Sequence, residues 1–318
     1  MNNTQKGIIL KGVGGLYTVK ITDESSEHRG ETVQCRARGA FRHNNITPLA
    51  GDRVLLHTDD ENTKDHKAAE CGLVIEEILE RKNALIRPPL ANLDYIFVTM
   101  AAAHPVPILP TVDKLISIAE FNKIEPVIII TKRDLAEKEA QRILEIYQRS
   151  GFTAFAISSV SGEGVDAVRE FVDTQLCGRI AAFAGASGIG KSTLMNALFP
   201  TLELSTSDIS RKIERGRHTT RQVELFAISD GDDTGYIADT PGFSMLDFQR
   251  FDFFEVEDLV YTMRDFADYI GKCKYTKCSH TKEEGCAVLD AVRRGEICKC
   301  RHDSFLEIYE VLKQKKKW

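Results

Sequence analysis

The 318-residue sequence has no apolar run approaching the ~18–20 residues that a membrane-spanning helix needs. Its longest apolar stretch, 95–109, is interrupted by His104, Pro105 and Pro107. The opening residues Met-Asn-Asn-Thr-Gln-Lys lack the basic start and apolar segment of a secretory signal, so a cytoplasmic location is expected. Net positive charge is lacking too. The formal charge is −5, which excludes a uniformly basic nucleic-acid binder. What is present, 42% hydrophobic and 28% charged residues, is ordinary for a globular protein. The length accommodates two or three domains at ~100–200 residues each.

Charge and cysteine are unevenly spread. Residues 271–318 hold twelve Lys/Arg against seven Asp/Glu, which leaves the preceding 270 residues with a net charge of −10. Of eight cysteines, Cys273, Cys278, Cys286, Cys298 and Cys300 fall in the last 46 residues, and only Cys35, Cys71 and Cys177 precede them. In a reducing compartment such a cluster reads as metal ligands sooner than as disulfides.

Three rhythms succeed one another along the chain. Five short β-like runs begin near Gly7, Leu16, Thr32, Asp52 and Gly72, punctuated by turns, and predict a small Greek-key barrel of the OB type over 1–80. From 81 to 247 buried strands near 93–100, 127–130, 152–157 and 179–184 alternate with helical patterns at 111–121, 135–149 and 165–172 and from Lys191. That alternation predicts a parallel sheet covered on both faces. Residues 248–318 read as helices at 255–270, 286–295 and 304–317 around a cysteine-rich loop, a domain small enough to need a staple. The fold class is therefore multidomain α/β.

Gly185-Ala-Ser-Gly-Ile-Gly-Lys-Ser192 satisfies G-x-x-x-x-G-K-[ST] between a buried strand and a helix, the context that a phosphate-binding P-loop requires. Backbone N–H groups of Gly185, Ala186, Ser187, Gly188, Ile189 and Gly190, with Thr193 at the helix start, would wrap the phosphates. Lys191 would reach the β- and γ-phosphates, and Ser192 would ligate Mg²⁺. Asp239-Thr-Pro-Gly242 ends another apolar strand, where Asp239 can hold Mg²⁺ and the Gly242 N–H can sense the γ-phosphate. Thr131-Lys-Arg-Asp134 ends the strand at 127–130. Asp134 can accept two hydrogen bonds from guanine N1 and N2, with Lys132 over the base plane. Together with Ile157-Ser158-Ser159 at the end of the next strand, this favours guanine over adenine.

These elements resemble the G1, G3, G4 and G5 motifs of translation-factor-type GTPases in permuted order, with the base-reading pair ahead of the P-loop. Flanked by a barrel and a Cys/His module, essentially the whole chain resembles the RsgA/YjeQ family of circularly permuted, small-ribosomal-subunit-dependent GTPases. The resemblance implies motif order G4-G5-G1-G2-G3, GTP hydrolysis stimulated by the 30S subunit, binding to 16S rRNA during late subunit maturation, and a monomer. It departs from the usual base motif at Thr131, where Asn is expected, so weaker nucleotide affinity is anticipated. The basic segment 211–221 resembles switch I. There Thr220, with Thr219 as the alternative, would contact Mg²⁺ and the γ-phosphate, and His218 matches the proposed catalytic histidine. Phe243 occupies the position at which Ras-like enzymes orient water with Gln, so intrinsic hydrolysis should be slow. The missing group would come from His218 or from a partner.

Cys273-x₄-Cys278-x-His280-x₅-Cys286 offers three thiolates and an imidazole, a donor set that suits a closed, structural tetrahedral zinc site. A second metal, an iron–sulfur cluster and free thiols are the alternatives. Cys298, Cys300 and His302 are left outside the ligand set. Arg36, Arg38 and Arg42 can line an RNA-facing barrel surface or be solvated, and Lys313 and Lys315–Lys317 suit a helix C-terminus equally well. Two other readings stand beside this one: a permuted GTPase acting on another RNA or on the large subunit, and an RNA-binding module with a structural nucleotide site.

Overall fold

A computed structural model describes residues 4–39, 41, 46–58, 72–86, 88–200, 223–229, 231, 234–239 and 254–314. They form two compact units: 1–94, 171–183 and 199–242 belong to the first, and 95–170, 184–198 and 243–318 to the second. No described helix is long and apolar enough to cross a membrane.

In the first unit, β1 (Thr4–Val13), β2 (Leu16–Ile21), β3 (Thr32–Ala37), β4 (Arg53–Thr58) and β5 (Leu73–Ile78) form a closed five-stranded barrel. β1 pairs with both β2 and β4, and β3 joins β5 in parallel at Arg36–Val74 and Ala37–Ile75, which closes the ring. Alternation places Ile9, Val19, Ile21, Cys35, Val54, Leu56 and Ile75 inside as one apolar core. A register shift between Ile9 and Lys11, within the pairing of β1 with β2, bends β1. Asp52, fully buried, accepts both arms of Arg81 at 2.7 and 2.8 Å and so ties the barrel to its exit segment.

The exit segment carries the small hairpin β6 (Ala84–Leu85) and β7 (Leu90–Ala91). The same unit holds β11 (Ile180–Ala184), β12 (Glu224–Ala227) and β13 (Tyr236–Asp239), with β11 parallel and β12 antiparallel to β13. β1 extends the barrel onto β12 at Lys11–Glu224, where the side chains meet at 2.5 Å. Both groups are about one-third exposed, so the backbone pairing outweighs an ion pair of ~0–1 kcal/mol.

In the second unit, β8 (Tyr95–Ala101), β9 (Glu125–Thr131) and β10 (Thr153–Ala156) run parallel in the order β10-β9-β8. β8 is buried at every position and β9 at all but the first, as strands covered on both faces must be. Helices α1 (Leu109–Phe121), α2 (Glu137–Arg149), α3 (Val165–Gln175) and α4 (Lys191–Leu198) follow strands in the expected alternation. α2 turns Ala140, Ile143, Ile146 and Tyr147 inward at helical spacing.

The C-terminal part differs from expectation in one element. Residues 255–270 form two 3₁₀ segments, Val256–Thr262 and Arg264–Tyr269, rather than one α-helix. Met263 takes extended dihedrals (φ −98°, ψ 94°), fully buried between them, and breaks the helix. α5 (Ala287–Arg294) and α6 (Lys299–Lys313) complete it, with α6 beginning five residues earlier than its apolar periodicity suggests. Two arginines fasten this part to α1 and β9. Arg264 reaches Glu120 at 2.5 Å and Glu125 at 2.9 Å, and Arg301, completely buried, meets Asp113 and Asp265. Both guanidinium groups lie against the Phe152 ring, at 4.5 and 5.4 Å.

Candidate nucleotide site and metal centre

The loop between β11 and α4 requires glycine at its first position. Gly185 has φ +144°, and a Cβ there would sit 2.3 Å from the Thr99 carbonyl oxygen and 2.6 Å from Ile189 Cδ1. Gly185→Ala is therefore expected to weaken GDP and GTP binding about 10–100-fold, the equivalent of ~1–3 kcal/mol of backbone strain, in a fluorescent-nucleotide titration. Gly188 and Gly190 also take left-handed dihedrals, so the backbone turns tightly before α4. The Lys191 ammonium donates to the Gly185 and Ala186 carbonyls at 2.6 and 2.7 Å, and burial pushes its pKa down to about 8. A phosphate anion in the loop would favour the charged form again. Ser192 and Thr193 occupy the first turn of α4, where N–H groups await an acceptor.

Thr131 ends β9, fully enclosed. Its hydroxyl lies against the Ile189 carbonyl and 3.1 Å from that of Met100. This hydroxyl ties the base motif to the P-loop, because at this depth it can donate to the P-loop backbone. Lys132, left-handed at φ +57°, donates to the Gly188 carbonyl at 2.8 Å and to that of His104. Asp134 lies in the following 3₁₀ turn with its carboxylate exposed. The Arg133 N–H bonds the Ile157 carbonyl at 3.0 Å, joining this turn to the Ser158–Ser159 loop. Ser158 is fully buried, and its Oγ accepts the Ser161 N–H at 3.2 Å. Thus Thr131, Lys132 and the P-loop residues Gly188 and Ile189 are brought together. Asp239 ends β13 opposite Glu224, and its side chain lies outside the described residues. So do Arg42, His218, Thr219, Thr220, Gly242, Phe243 and Lys315–Lys317. Arg38 is paired with Glu76 at 2.9 Å, which reduces the charge that the barrel presents to a partner.

In the second constellation, the donor atoms of Cys273, Cys278, His280 and Cys286 all lie within 4.8 Å of one another. Tetrahedral zinc with Zn–S of ~2.3 Å and Zn–N of ~2.0–2.1 Å has edges of about 3.8 Å between sulfurs and about 3.5 Å from sulfur to nitrogen. The observed edges are 3.9 Å for Cys273–Cys286, 3.5 Å for Cys273 Sγ to His280 Nδ1, and 3.4 Å from that nitrogen to Cys286 Sγ. The residues fit zinc. Burial pushes the Cys278 thiol up to about 12, raises that of Cys286 and lowers the His280 imidazole. Thiolates here therefore call for a cation, and the imidazole is held in its neutral, ligating form. The Ala287 N–H points at Cys273 Sγ from 3.4 Å, at the start of α5.

A family model described as the RsgA GTPase matches residues 78–249, and one described as the RsgA N-terminal domain matches 6–64. The small ribosomal subunit biogenesis GTPase RsgA of Bacillus pumilus is 40% identical, with 98% of each chain aligned. The chain belongs to the RsgA family of GTPases. The RsgA of Ruminiclostridium cellulolyticum is 39% identical over 97% of this chain and 94% of that one. Among solved structures, YjeQ from Thermotoga maritima superposes with a TM-score of 0.76 at 30% identity, covering 98% of this chain and 100% of its own. YloQ, described as a circularly permuted GTPase, does so with a TM-score of 0.76 at 33% identity, covering 100% and 98%. As a member of the RsgA family this chain is a GTP-hydrolysing enzyme, with an OB-like barrel, a permuted GTPase core and a Cys/His module.

Sequence reasoning missed two contributors, the His104 carbonyl beside Lys132 and the Glu283 carboxylate next to the metal ligands, and it weighed His302 only as a ligand, whereas its ring reaches the His280 carbonyl. None of them stands in a motif.

Proposed function

We propose that this protein binds the small (30S) ribosomal subunit and its 16S rRNA and assists late maturation in the cytoplasm, as a monomer that hydrolyses GTP when stimulated by the subunit. The observation that carries this reading is the tie from Thr131 and Lys132 to the P-loop, in permuted order, in a chain aligned end to end with relatives named for small-subunit biogenesis. In this reading the domains are the barrel at 1–80, the GTPase core at 81–247 and the metal module at 248–318.

Asp134, with Lys132, Ser158 and Ser159, reads guanine, while Gly185 to Gly190, Lys191 and Thr193 hold the phosphates. Ser192, Asp239 and Thr220 would hold Mg²⁺, which neutralises charge on the phosphates when bound. Gly242 senses the γ-phosphate. Phe243 cannot orient water, so His218 or a subunit group completes the site. Zinc on Cys273, Cys278, His280 and Cys286 is structural, because four protein donors leave no open position.

Turnover of GTP by the full-length protein is measured with and without purified 30S subunits. We expect slow turnover alone and stimulation on the order of 10³–10⁵-fold, the scale by which a supplied group accelerates other GTPases. Equal turnover in both conditions refutes subunit dependence. Stimulation by 50S instead favours the large-subunit reading.

A further inference from the structure

The metal ligand His280 is the one cluster residue with a left-handed backbone, φ +58°. For a residue with a Cβ that conformation costs ~1–2 kcal/mol, so something outside the ligand must hold it. Its carbonyl oxygen lies 2.8 Å from His302 Nε2, and both residues are buried. A carbonyl only accepts, so Nε2 carries the hydrogen and donates. On either side, the Glu283 carboxylate collects the N–H groups of Ser279 at 2.8 Å, Thr281 at 3.0 Å and Lys282 at 3.1 Å.

The position of the donor is set independently of the metal loop. His302 projects from α6, its ring 6.0 Å from Phe305 at 25° and 6.1 Å from Phe266. Its neighbour Arg301 is fixed by Asp113 and Asp265. The hydrogen bond therefore reaches the metal loop from a helix anchored elsewhere.

We infer that His302 is a positioning residue of the metal centre, holding the His280 backbone in the left-handed turn that aims Nδ1 at the ion. The inference rests on reading the Cys₃His cluster as a zinc site. Groups that orient a ligand in this way typically change metal affinity 10–100-fold when removed. The alternative is that the ring only fills space between two phenylalanines.

Full-length, zinc-loaded protein separates these roles. His302→Phe keeps an aromatic ring between Phe266 and Phe305 but has no donor, whereas His302→Gln restores an N–H. Zinc transfer to a chromogenic chelator is followed for each, and cobalt absorption reports the ligand field. The expected result is about 10–100-fold weaker zinc retention and an altered cobalt spectrum for His302→Phe, with His302→Gln returning toward wild type. His302→Met, also without a donor, repeats the comparison in a non-aromatic background. Wild-type retention by either folded donorless variant overturns the inference. Wild-type protein that binds no zinc overturns the metal reading itself. Neither readout involves nucleotide or ribosome.

Discussion

Replacing Arg301 by leucine is expected to destabilise the protein by about 3–5 kcal/mol, the cost of removing one partner from a buried ion pair. Arg301 has no exposed surface. It meets Asp113 directly, approaches Asp265 at 3.3 Å and lies 5.6 Å from the Tyr147 ring. Burial already pushes the Asp113 carboxyl upward, and the guanidinium is the strongest influence opposing it. The Tyr147 hydroxyl, which donates to Asp113 at 3.0 Å, cannot compensate a full charge alone. In the leucine variant Asp113 should take up a proton well above the ordinary carboxylate range. The folded state then binds more protons than the unfolded state, so stability falls as pH rises from about 4 through the raised folded pKa. Urea unfolding at several pH values checks this, with the deficit largest near neutrality and shrinking toward acid. Adding Asp113→Leu should recover part of the loss, since Asp265 keeps Ser150 Oγ at 3.3 Å. An equal deficit at every pH would show that lost packing, not an abandoned carboxylate, explains the effect.

Loss of the metal should have a more local effect. Structural zinc contributes ~10–16 kcal/mol in small domains that fold around it, and Cys286→Ser removes a ligand that is almost completely buried. The variant is expected to lose its zinc and the hydrogen-exchange protection of residues 271–295. Protection in the barrel strands β1–β5, which have their own core, should be unchanged. α6 should keep partial protection, because Arg301 and the Lys114–Glu307 pair, at 2.9 Å, fasten it to α1 without the metal. Metal content and peptide-resolved exchange are the measurements. Unchanged protection of 271–295 in metal-free protein would show that the module does not depend on zinc.

Contacts from the C-terminal part to α1, to the end of α2 and to the start of β9 include Arg264 with Glu120 and Glu125, Arg301 with Asp113, Glu307 with Lys114, and the Gly295 carbonyl, which accepts from Arg149 at 2.8 Å. These groups are side-chain bridges between packed elements, and they connect the module to the strand that carries Thr131 at its other end. Glu125 and Thr131 thus stand at opposite ends of one strand.

Much of the architecture is legible in the sequence. Alternating apolar residues mark the barrel strands, continuous apolar runs mark the parallel strands, and the P-loop glycines mark a backbone of positive φ, which at Gly185 a Cβ would also obstruct. The Cys/His spacing brought four donors to one point, as local chain geometry alone allows. The two 3₁₀ segments were read as one α-helix because the spacing of their apolar residues resembles that of an α-helix, and neither the tighter turns nor the extended Met263 between them has a sequence signal.

Other features were decided by tertiary structure. Thr131 meets Ile189 across 58 residues, Arg301 meets Asp113 across 188, and His302 meets His280 across 22. No period or motif links such pairs, because hydrophobic patterning specifies which face is buried and not which polar groups converge there. The basic tail was visible as a count, but the burial of one of its arginines as an internal counter-ion was not. The sequence by itself determined the order of the motifs and the donors of the metal site. Only packing decided which buried polar groups hold those motifs in place, since an unpaired polar atom is costly in the interior and its partner is set by whatever element lies against it.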